Sequence, residues 1–444
     1  MGTSILHIKT EVECKVFLFD EEKGIATPGR YFNLEVHKGE QELQFVCTDD
    51  EYYQYHLLYN VEELDRDYNI VIKKDYFVST HELLTAKASD EEIANGIADE
   101  FGVVYSYDGL HLLKYQGYRN LGHYQVRQGC MVIRDWAFTL NSISSISLPN
   151  TITHIGSYAF GGCKNLTSIT LPSSLIHIGT CAFIHTHITS VISNSSSFLF
   201  ENGLLIDVKY KKILSFLSLS TDVTIPSYIK SIGDDAFLGT AISSVALNNG
   251  LTSIGKYSFL HCIRLRDITF PPSLKNVGYG AFSETKINKV TNLSPYIDYI
   301  KGCLIDKNSK SLVACFANDK MIELPKGITH IGSSAFGGNK IIEAIVVPEG
   351  VTTIENYAFS KCDNLTSVTF PSSLLYIGSN VFDLCLKLAR VNLPKGLEHV
   401  DQDAFRCCGS ASFSICIPLG TKALYEDLLP EYLHTKFKEQ LTQE

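Results

Sequence analysis

A chain of 444 residues, 45% hydrophobic and 19% charged, is a folded protein too long for one compact core, so several domains or an extended repeat are expected. The formal charge of −10 is unevenly placed: residues 1–128 hold 23 Asp/Glu against 12 Lys/Arg, and the remainder 25 against 26. An acidic module beside a nearly neutral remainder argues against a nucleic-acid partner, which selects a basic stripe, and no run of about 20 apolar residues suits a membrane-spanning helix.

The N-terminus, Met1 to Lys9, lacks the basic stretch and apolar run of a secretory leader. As written the chain reads as cytoplasmic, or as a surface or secreted protein if a leader has been removed. Residues 1–76 alternate apolar and polar positions, as in Cys14 to Phe19, Tyr31 to Val36 and Leu43 to Val46, with turn signals at Thr27-Pro28-Gly29 and Lys38-Gly39-Glu40. That pattern predicts a small, acidic β-sandwich-like domain. Residues 77–128 read as a helical linker and a first diverged hairpin. Ser89 to Glu92 forms a capping box before Ile93 and Ile97, and Tyr107-Asp108-Gly109-Leu110 to Leu113 forms the hairpin.

From residue 129 to 420 one motif recurs. Ile-Gly-x-x-Ala-Phe stands at Ile155, Ile178, Ile232 and Ile331, and with small changes at Ile254, Val277, Ile354, Ile377 and Val400. The anchoring residues are Phe138, Phe160, Phe183, Phe237, Phe259, Phe282, Phe336, Phe359, Phe382 and Phe405, spaced 22, 23, 54, 22, 23, 54, 23, 23 and 23 apart. Most copies continue through a Cys or Thr corner into Leu-x-x-Ile-x-Leu, as in Leu166 to Leu171. A copy this short cannot bury its own apolar face, so the copies must stack into a solenoid. Both 54-residue gaps carry a strand-turn-strand pattern, at Asn202-Gly203 to Asp207 and Lys301-Gly302 to Asp306, placed 99 residues apart. A 99-residue unit is therefore duplicated, with a hairpin extending one turn of each copy. Residues 421–444 close the chain, with Tyr425 to Gln440 read as a helical cap on the solenoid end.

The run Ile-Gly-x-x-Ala-Phe-x-x-Cys-x-x-Leu-x-x-Ile-x-Leu-Pro resembles the bacterial surface-antigen-type, or BspA-like, leucine-rich repeat family. The N-terminal strands resemble a PEGA-type β domain. The first resemblance implies a mainly β solenoid of the kind found in cell-surface proteins that bind host matrix proteins or other cells, and it brings no catalytic motif.

Five cysteines, Cys163, Cys262, Cys362, Cys385 and Cys408, share one repeat phase with Thr186, Thr240, Thr285 and Asn339. Stacking brings Cys362, Cys385 and Cys408 near enough for a thiolate metal site or a disulfide. Exchange with Thr instead favours small structural side chains at a tight corner. His154, His177, His330 and His399 form a second column, read as polar surface, since two neighbouring histidines lack the ligands zinc needs. Gly161-Gly162 and Gly337-Gly338 read as turn glycines, and the acidic run ending in Tyr52-Tyr53-Gln54-Tyr55 as a solvated loop. No metal and no cofactor is expected.

The residues flanking the central strand Ile point outwards and are the candidate ligand-binding face: Ser168, Thr170, Ser190, Ser244, Asp267, Thr269, Lys289, Ser367, Thr369, Arg390 and Asn392. Small hydroxyls dominate the strip, and the hairpins and the acidic domain are its rivals. The expected function is a non-enzymatic, protein-binding solenoid, either a surface adhesin or an interaction scaffold, with no nucleic-acid partner and no membrane insertion. The alternatives are an architectural spacer without a specific partner and, third, an enzyme acting through the N-terminal domain.

Overall fold

The computed structural model describes residues 4–19, 21–48, 53–61, 67–72, 78–117, 121–409 and 413–440. These form two compact units. The first comprises Met1–Asn141, Ile146–Gly161 and Ser174–Ala182, and the second Ser142–Ser145, Gly162–Ser173 and Phe183–Glu444.

The first unit opens with two sheets. One places Ser4–Thr10 between Tyr31–Val36, antiparallel to it, and Asp67–Ile72, parallel to it. The other orders Glu21–Ala26, Cys14–Leu18, Gly39–Cys47, Tyr53–Val61 and Val78–Ser79. Alternation puts Leu6, Ile8, Leu34 and Val36 of one sheet and Cys14, Val16, Leu43 and Phe45 of the other into a single core, the sandwich arrangement that two half-buried sheets require. Ser89 caps the helix Asp90–Ala94 as expected: its Oγ accepts from Glu92 N at 3.1 Å and Glu92 Oε2 accepts from Ser89 N at 2.7 Å. The helix stops at Asn95, so Ile97 is not on it. Ile97 begins the strand Ile97–Ala98 and is 43% exposed. Gly96 permits the reversal, because a Cβ there would stand 2.6 Å from Val104 Cγ1.

The diverged hairpin is present: Val103–Tyr105 pairs antiparallel with His111–Tyr115. The latter continues in parallel into Val132–Ile133, His154–Ile155 and His177–Ile178. Tyr115 serves as the first aromatic rung, with its amide donating to Ala137 O at 2.8 Å and its ring 6.4 Å from that of Phe138. Phe138 stacks in turn on Phe160 at 5.5 Å.

In the second unit the predicted rungs line up. Phe237, Phe259 and Phe282 stack at 5.0 and 5.5 Å, and Phe336, Phe359, Phe382 and Phe405 at 5.0, 5.5 and 5.3 Å. Within each run the amide of a rung donates to the carbonyl one residue before the next: Phe259 N to Ala281 O and Phe336 N to Ala358 O are both 2.8 Å. The glycine after the isoleucine is a consequence of this closeness, since a Cβ on Gly255 would lie 2.5 Å from Asp234 N. The corners also bend through left-handed residues two before and two after the phenylalanine, for example Tyr257 (φ +51°) and His261 (φ +61°) around Phe259, except that only Cys407 does so around Phe405.

The two 54-residue gaps are hairpins whose last strand rejoins the amide ladder of the next run. Phe198–Glu201, Leu204–Asp207 and Lys212–Phe216 form one, and Ile297–Ile300, Cys303–Asp306 and Ser311–Cys315 the other. Asn202-Gly203 and Lys301-Gly302 both have positive φ at their two turn residues, as a tight two-residue hairpin demands. The last hairpin strand takes the place of a corner: Phe216 N donates to Ala236 O at 2.7 Å and Cys315 N to Ala335 O at 2.9 Å.

At the C-terminus the expected single helix over 425–440 is replaced by three elements. Lys422–Leu428 is helical, Glu431–Lys436 is a 3-10 turn, and Phe437–Gln440 is a strand parallel to Ser414–Pro418. Pro430, which has no amide to donate, ends the helix and lets the chain return as a strand along the sheet edge. Tyr425, fully buried, holds this cap through its hydroxyl to Pro394 O.

Phe259 is fully buried between two rings. Phe259→Ala is therefore expected to cost about 3–5 kcal/mol in urea unfolding of the solenoid transition, the usual range for a large cavity in a packed core. Ile192→Ala, at an outward position that is 60% exposed, is expected to change the same midpoint by less than about 0.5 kcal/mol.

Candidate interaction surface

Every member of the predicted strip lies on a short parallel strand, or on the approach to one, of the second unit. Ser168, Thr170, Ser190, Ser244, Asp267, Thr269, Lys289, Thr369, Arg390 and Asn392 are exposed, and Ser367 is half-buried. Register brings several of them side by side. Ser168 faces Ser190, Asp267 faces Lys289, Ser367 faces Arg390, and Thr369 faces Asn392. Ser244 stands apart from these pairs and faces Asp222. Its hydroxyl donates to Asp222 Oδ1 at 2.6 Å, and that bond, with one from Thr221, holds the Asp222 carboxyl below the usual range.

The strip is longer than the repeat motif suggests. The strands that follow the two hairpins, Asp222–Thr224 and Met321–Glu323, take the same phase, adding Asp222, Thr224, Met321 and Glu323 to the outward side. No Ile-Gly-x-x-Ala-Phe corner precedes these strands, so the motif passes over them. Their signal is the apolar-polar-apolar step into Pro226 and Pro325. The fullest stretch is a six-stranded sheet ordered Met321–Glu323, Ala344–Val346, Ser367–Thr369, Arg390–Asn392, Ser414–Pro418 and Phe437–Gln440. One row across it runs Met321, Ala344, Ser367 and Arg390, and the other Glu323, Val346, Thr369 and Asn392. Met321 is 73% and Val346 45% exposed, and Arg390 Nε is steadied by Asn392 Oδ1 at 3.0 Å.

The cysteine column acts on the backbone. Cys262 Sγ donates to Phe237 O at 3.1 Å, Cys362 Sγ to Phe336 O at 3.2 Å and Cys385 Sγ to Phe359 O at 3.0 Å, each reaching the carbonyl of the preceding rung. The threonines of the same phase serve their own rung instead: Thr186, Thr240 and Thr285 donate to Phe183, Phe237 and Phe282 O at 2.7–2.8 Å. A short donor is what the phase needs, which accounts for the exchange of Cys with Thr. Burial pushes the Cys262 thiol up to about 11 and Cys362 well above its usual value, so these sulfurs stay protonated as donors. Among the described residues no group of three His, Cys, Asp or Glu is set to hold a metal ion. Gly162 (φ +73°) and Gly338 (φ +74°) are the left-handed corner residues of their copies. Tyr53, Gln54 and Tyr55, expected in a solvated loop, instead begin the strand Tyr53–Val61 beside Gly39–Cys47, because the apolar–polar alternation starts there. The acidic run through Tyr52 and the side chains of these three lie outside the described residues.

The histidine column departs from expectation at His154, while His399 is exposed and His177 and His330 are half-buried. His154 is not a surface residue but 6% exposed, because His81 from the helix Thr80–Thr85 lies over it and His177. His81 Nδ1 is 2.7 Å from His154 Nε2, and its ring stacks on that of His177 at 4.8 Å. Burial first, then the neighbouring His81 and His111, pulls His154 down to about 4. One proton can bridge two neutral imidazoles, whereas two protonated rings would set N–H against N–H. The unfolded chain takes up this proton below about 6.5 and the folded chain only near 4, so folding stability is complete above pH 6.5 and falls as pH drops between the two. The expected loss is on the order of 3 kcal/mol, at about 1.4 kcal/mol per pH unit. Urea midpoints taken from pH 7.5 to 4 test it: wild type should fall in that window and His154→Thr, the residue type at Thr353, should fall less.

No curated protein matches the chain. Among solved structures it is similar to a leucine-rich cell surface protein of Faecalibacterium prausnitzii A2-165, with 22% identity over 73% of this chain and 88% of that one and a TM-score of 0.46. It is also similar to the pneumococcal vaccine antigen PcpA, with 16% identity over 78% and 96% and a TM-score of 0.43. A leucine-rich repeat protein from Eubacterium ventriosum ATCC 27560 shows 16% identity over 72% and 93% and a TM-score of 0.38. The model of the BspA type leucine-rich repeat region matches in six copies, over residues 131–210, 214–312 and 308–426. That span covers more than half of the sequence and coincides with the stacked phenylalanine corners; the chain belongs to the BspA type leucine-rich repeat family.

Proposed function

We propose that this protein is a non-enzymatic binding scaffold, an adhesin or an interaction platform, that recognises a protein ligand through the outward side of its parallel strands. The observation that carries the reading is the six-stranded sheet with Met321, Val346 and Arg390 exposed on one in-register grid. Arg is among the residue types that dominate interface energetics, and Met is enriched at interfaces over the rest of a protein surface. Parallel registration holds the grid rigid, so little entropy is lost on binding. The hydroxyl-rich strands nearer the start of the unit, with Ser168, Thr170 and Ser190, supply polar surroundings and fewer anchors.

The test is retention of proteins from host-cell extracts and of purified matrix proteins on the immobilised chain. Met321→Glu combined with Arg390→Glu is expected to reduce retention of specifically captured proteins by about tenfold or more, with the circular dichroism spectrum unchanged. Unaltered retention by that variant would remove the grid from the binding surface. Capture no better than by a control protein would favour the spacer.

A further inference from the structure

The two 99-residue copies differ around their hairpins in a way that removes volume. The earlier copy carries Cys181, Ile184, Phe216 and Leu238; 99 residues on, the same positions hold Gly280, Ser283, Cys315 and Gly337. Every exchange is to a smaller side chain. Phe216 stacks on Phe237 with ring centroids 5.3 Å apart, whereas its counterpart Cys315 makes the equivalent backbone bond but ends in a thiol. The corners of Phe282 and Phe336 meet through Glu284 N to Gly337 O at 3.1 Å and Ser283 Oγ to Ser334 O at 2.9 Å. Between them lies a cavity of about 590 Å³. The exchange of Leu217 for Phe316 runs the other way, and that ring packs edge-on against Phe282 at 5.6 Å to become part of the wall.

The volume suits a ligand of drug-like size, and Phe282, Phe316, Phe336 and Ile287 give it an apolar interior. The charges on its lining do not cancel. Glu284, the carboxylate among the lining residues, is already met by Lys361 Nζ at 2.8 Å and His261 Nδ1 at 3.1 Å, and Lys340 is met by Asp363 at 2.8 Å. Arg266 and Lys286 are left, with no carboxylate within ion-pair distance among the described residues. Arg266 is held at the rim by its Nη1 bond to Ile263 O at 2.8 Å. The earlier copy has Thr167 and His187 at these two positions, so the enlarged cavity and the paired cations occur together in the later one.

We propose that this cavity binds a small ligand with an apolar or aromatic body and a carboxylate, the body seated against Phe282, Phe316 and Phe336 and the carboxylate at Arg266 and Lys286. A cationic ligand of the same body meets two like charges at the rim. The site is separate from the strand grid proposed for protein binding and does not depend on that reading.

The experiment is a fluorescence titration of the full chain with a dansyl-labelled fatty carboxylate and, in parallel, with the dansyl-labelled alkylamine of the same length. Saturable one-to-one binding is expected, with the carboxylate tighter by about tenfold or more. Cys315→Phe and Gly337→Leu restore side chains that the earlier copy accommodates on the equivalent backbone, and each should weaken the carboxylate probe by about tenfold or more. If one of the two fails to fold, as judged by circular dichroism, the other decides. Arg266→Ala with Lys286→Ala should remove the preference between probes. No saturable binding, binding unchanged in the folded filling variants, or an amine bound as tightly as the carboxylate would each overturn the proposal.

Discussion

The bond from the amide of a corner phenylalanine to the carbonyl just before the next one in its run is the constraint on which the solenoid rests. At 2.8–3.0 Å from Phe259 to Ala281, Phe336 to Ala358, Phe359 to Val381 and Phe382 to Ala404, it holds neighbouring coils at the spacing of paired strands and forces the rings into contact. The backbone near the bond is closely confined. Where a glycine follows the isoleucine or valine, as at Gly255 and Gly278, a Cβ has no room, whereas Glu355 and Asp401 hold that place in their copies. The residues two either side of most rings take positive φ even where they are Tyr, Asp, Lys or Leu. Each such residue costs roughly 1–2 kcal/mol. The closed backbone bond and the buried ring offset that cost, which is why the geometry is met by so many residue types.

The same constraint explains how a hairpin joins one run of coils to the next. A hairpin is tolerated because its last strand supplies the missing amide. Tyr115, Phe216 and Cys315 donate to Ala137, Ala236 and Ala335 respectively, each acting as a corner without carrying the corner motif. What differs among the three is only the side chain on that amide. Tyr115 and Phe216 continue the aromatic seam and Cys315 does not, so the later hairpin completes the hydrogen bonding while leaving space beside Phe282 and Phe336. Closure of the backbone and filling of the core are separate requirements here, and one can relax while the other holds.

That separation also marks what could be read from the sequence. The rung spacing, the strand phase, the duplication, the hairpin turns and the Ser89 cap are each carried by a residue type whose side chain performs the role, and all are legible. Rungs made by backbone alone are not: Cys315 gives no periodic signal. His81 escaped notice for a related reason. It lies on a helix with no phase relation to the histidine column, and only stacking at 4.8 Å on His177 makes it part of that column. The strand Phe437–Gln440 was hidden by helix-forming residues, although Pro430 was a visible reason for the helix to end. The outward strip was legible in position but not in extent, since Met321 and Glu323 follow a hairpin in place of a corner.

The outward strip also differs between the two copies while the strand core beneath it is kept. Across the 99-residue offset the strand core keeps its character: Ile169 matches Ile268, Val191 matches Val290 and Val223 matches Ile322. Of the side chains between them Thr170 is kept as Thr269, and the others change. Ser168 is matched by Asp267, Ser190 by Lys289, Asp222 by Met321 and Thr224 by Glu323. Core positions are tied to the amide ladder through packing, because a coil that loses its ring or its central Ile loses the contact that holds the next amide in place. Outward positions have no part in that bond, so a copy can trade hydroxyls for charge or an exposed thioether without disturbing the spacing of its neighbours. A solenoid built this way varies the chemistry of its exposed strands coil by coil while its axis stays fixed, and the Met321–Arg390 row and the Ser168–Ser190 pair are two outcomes of that freedom within one chain.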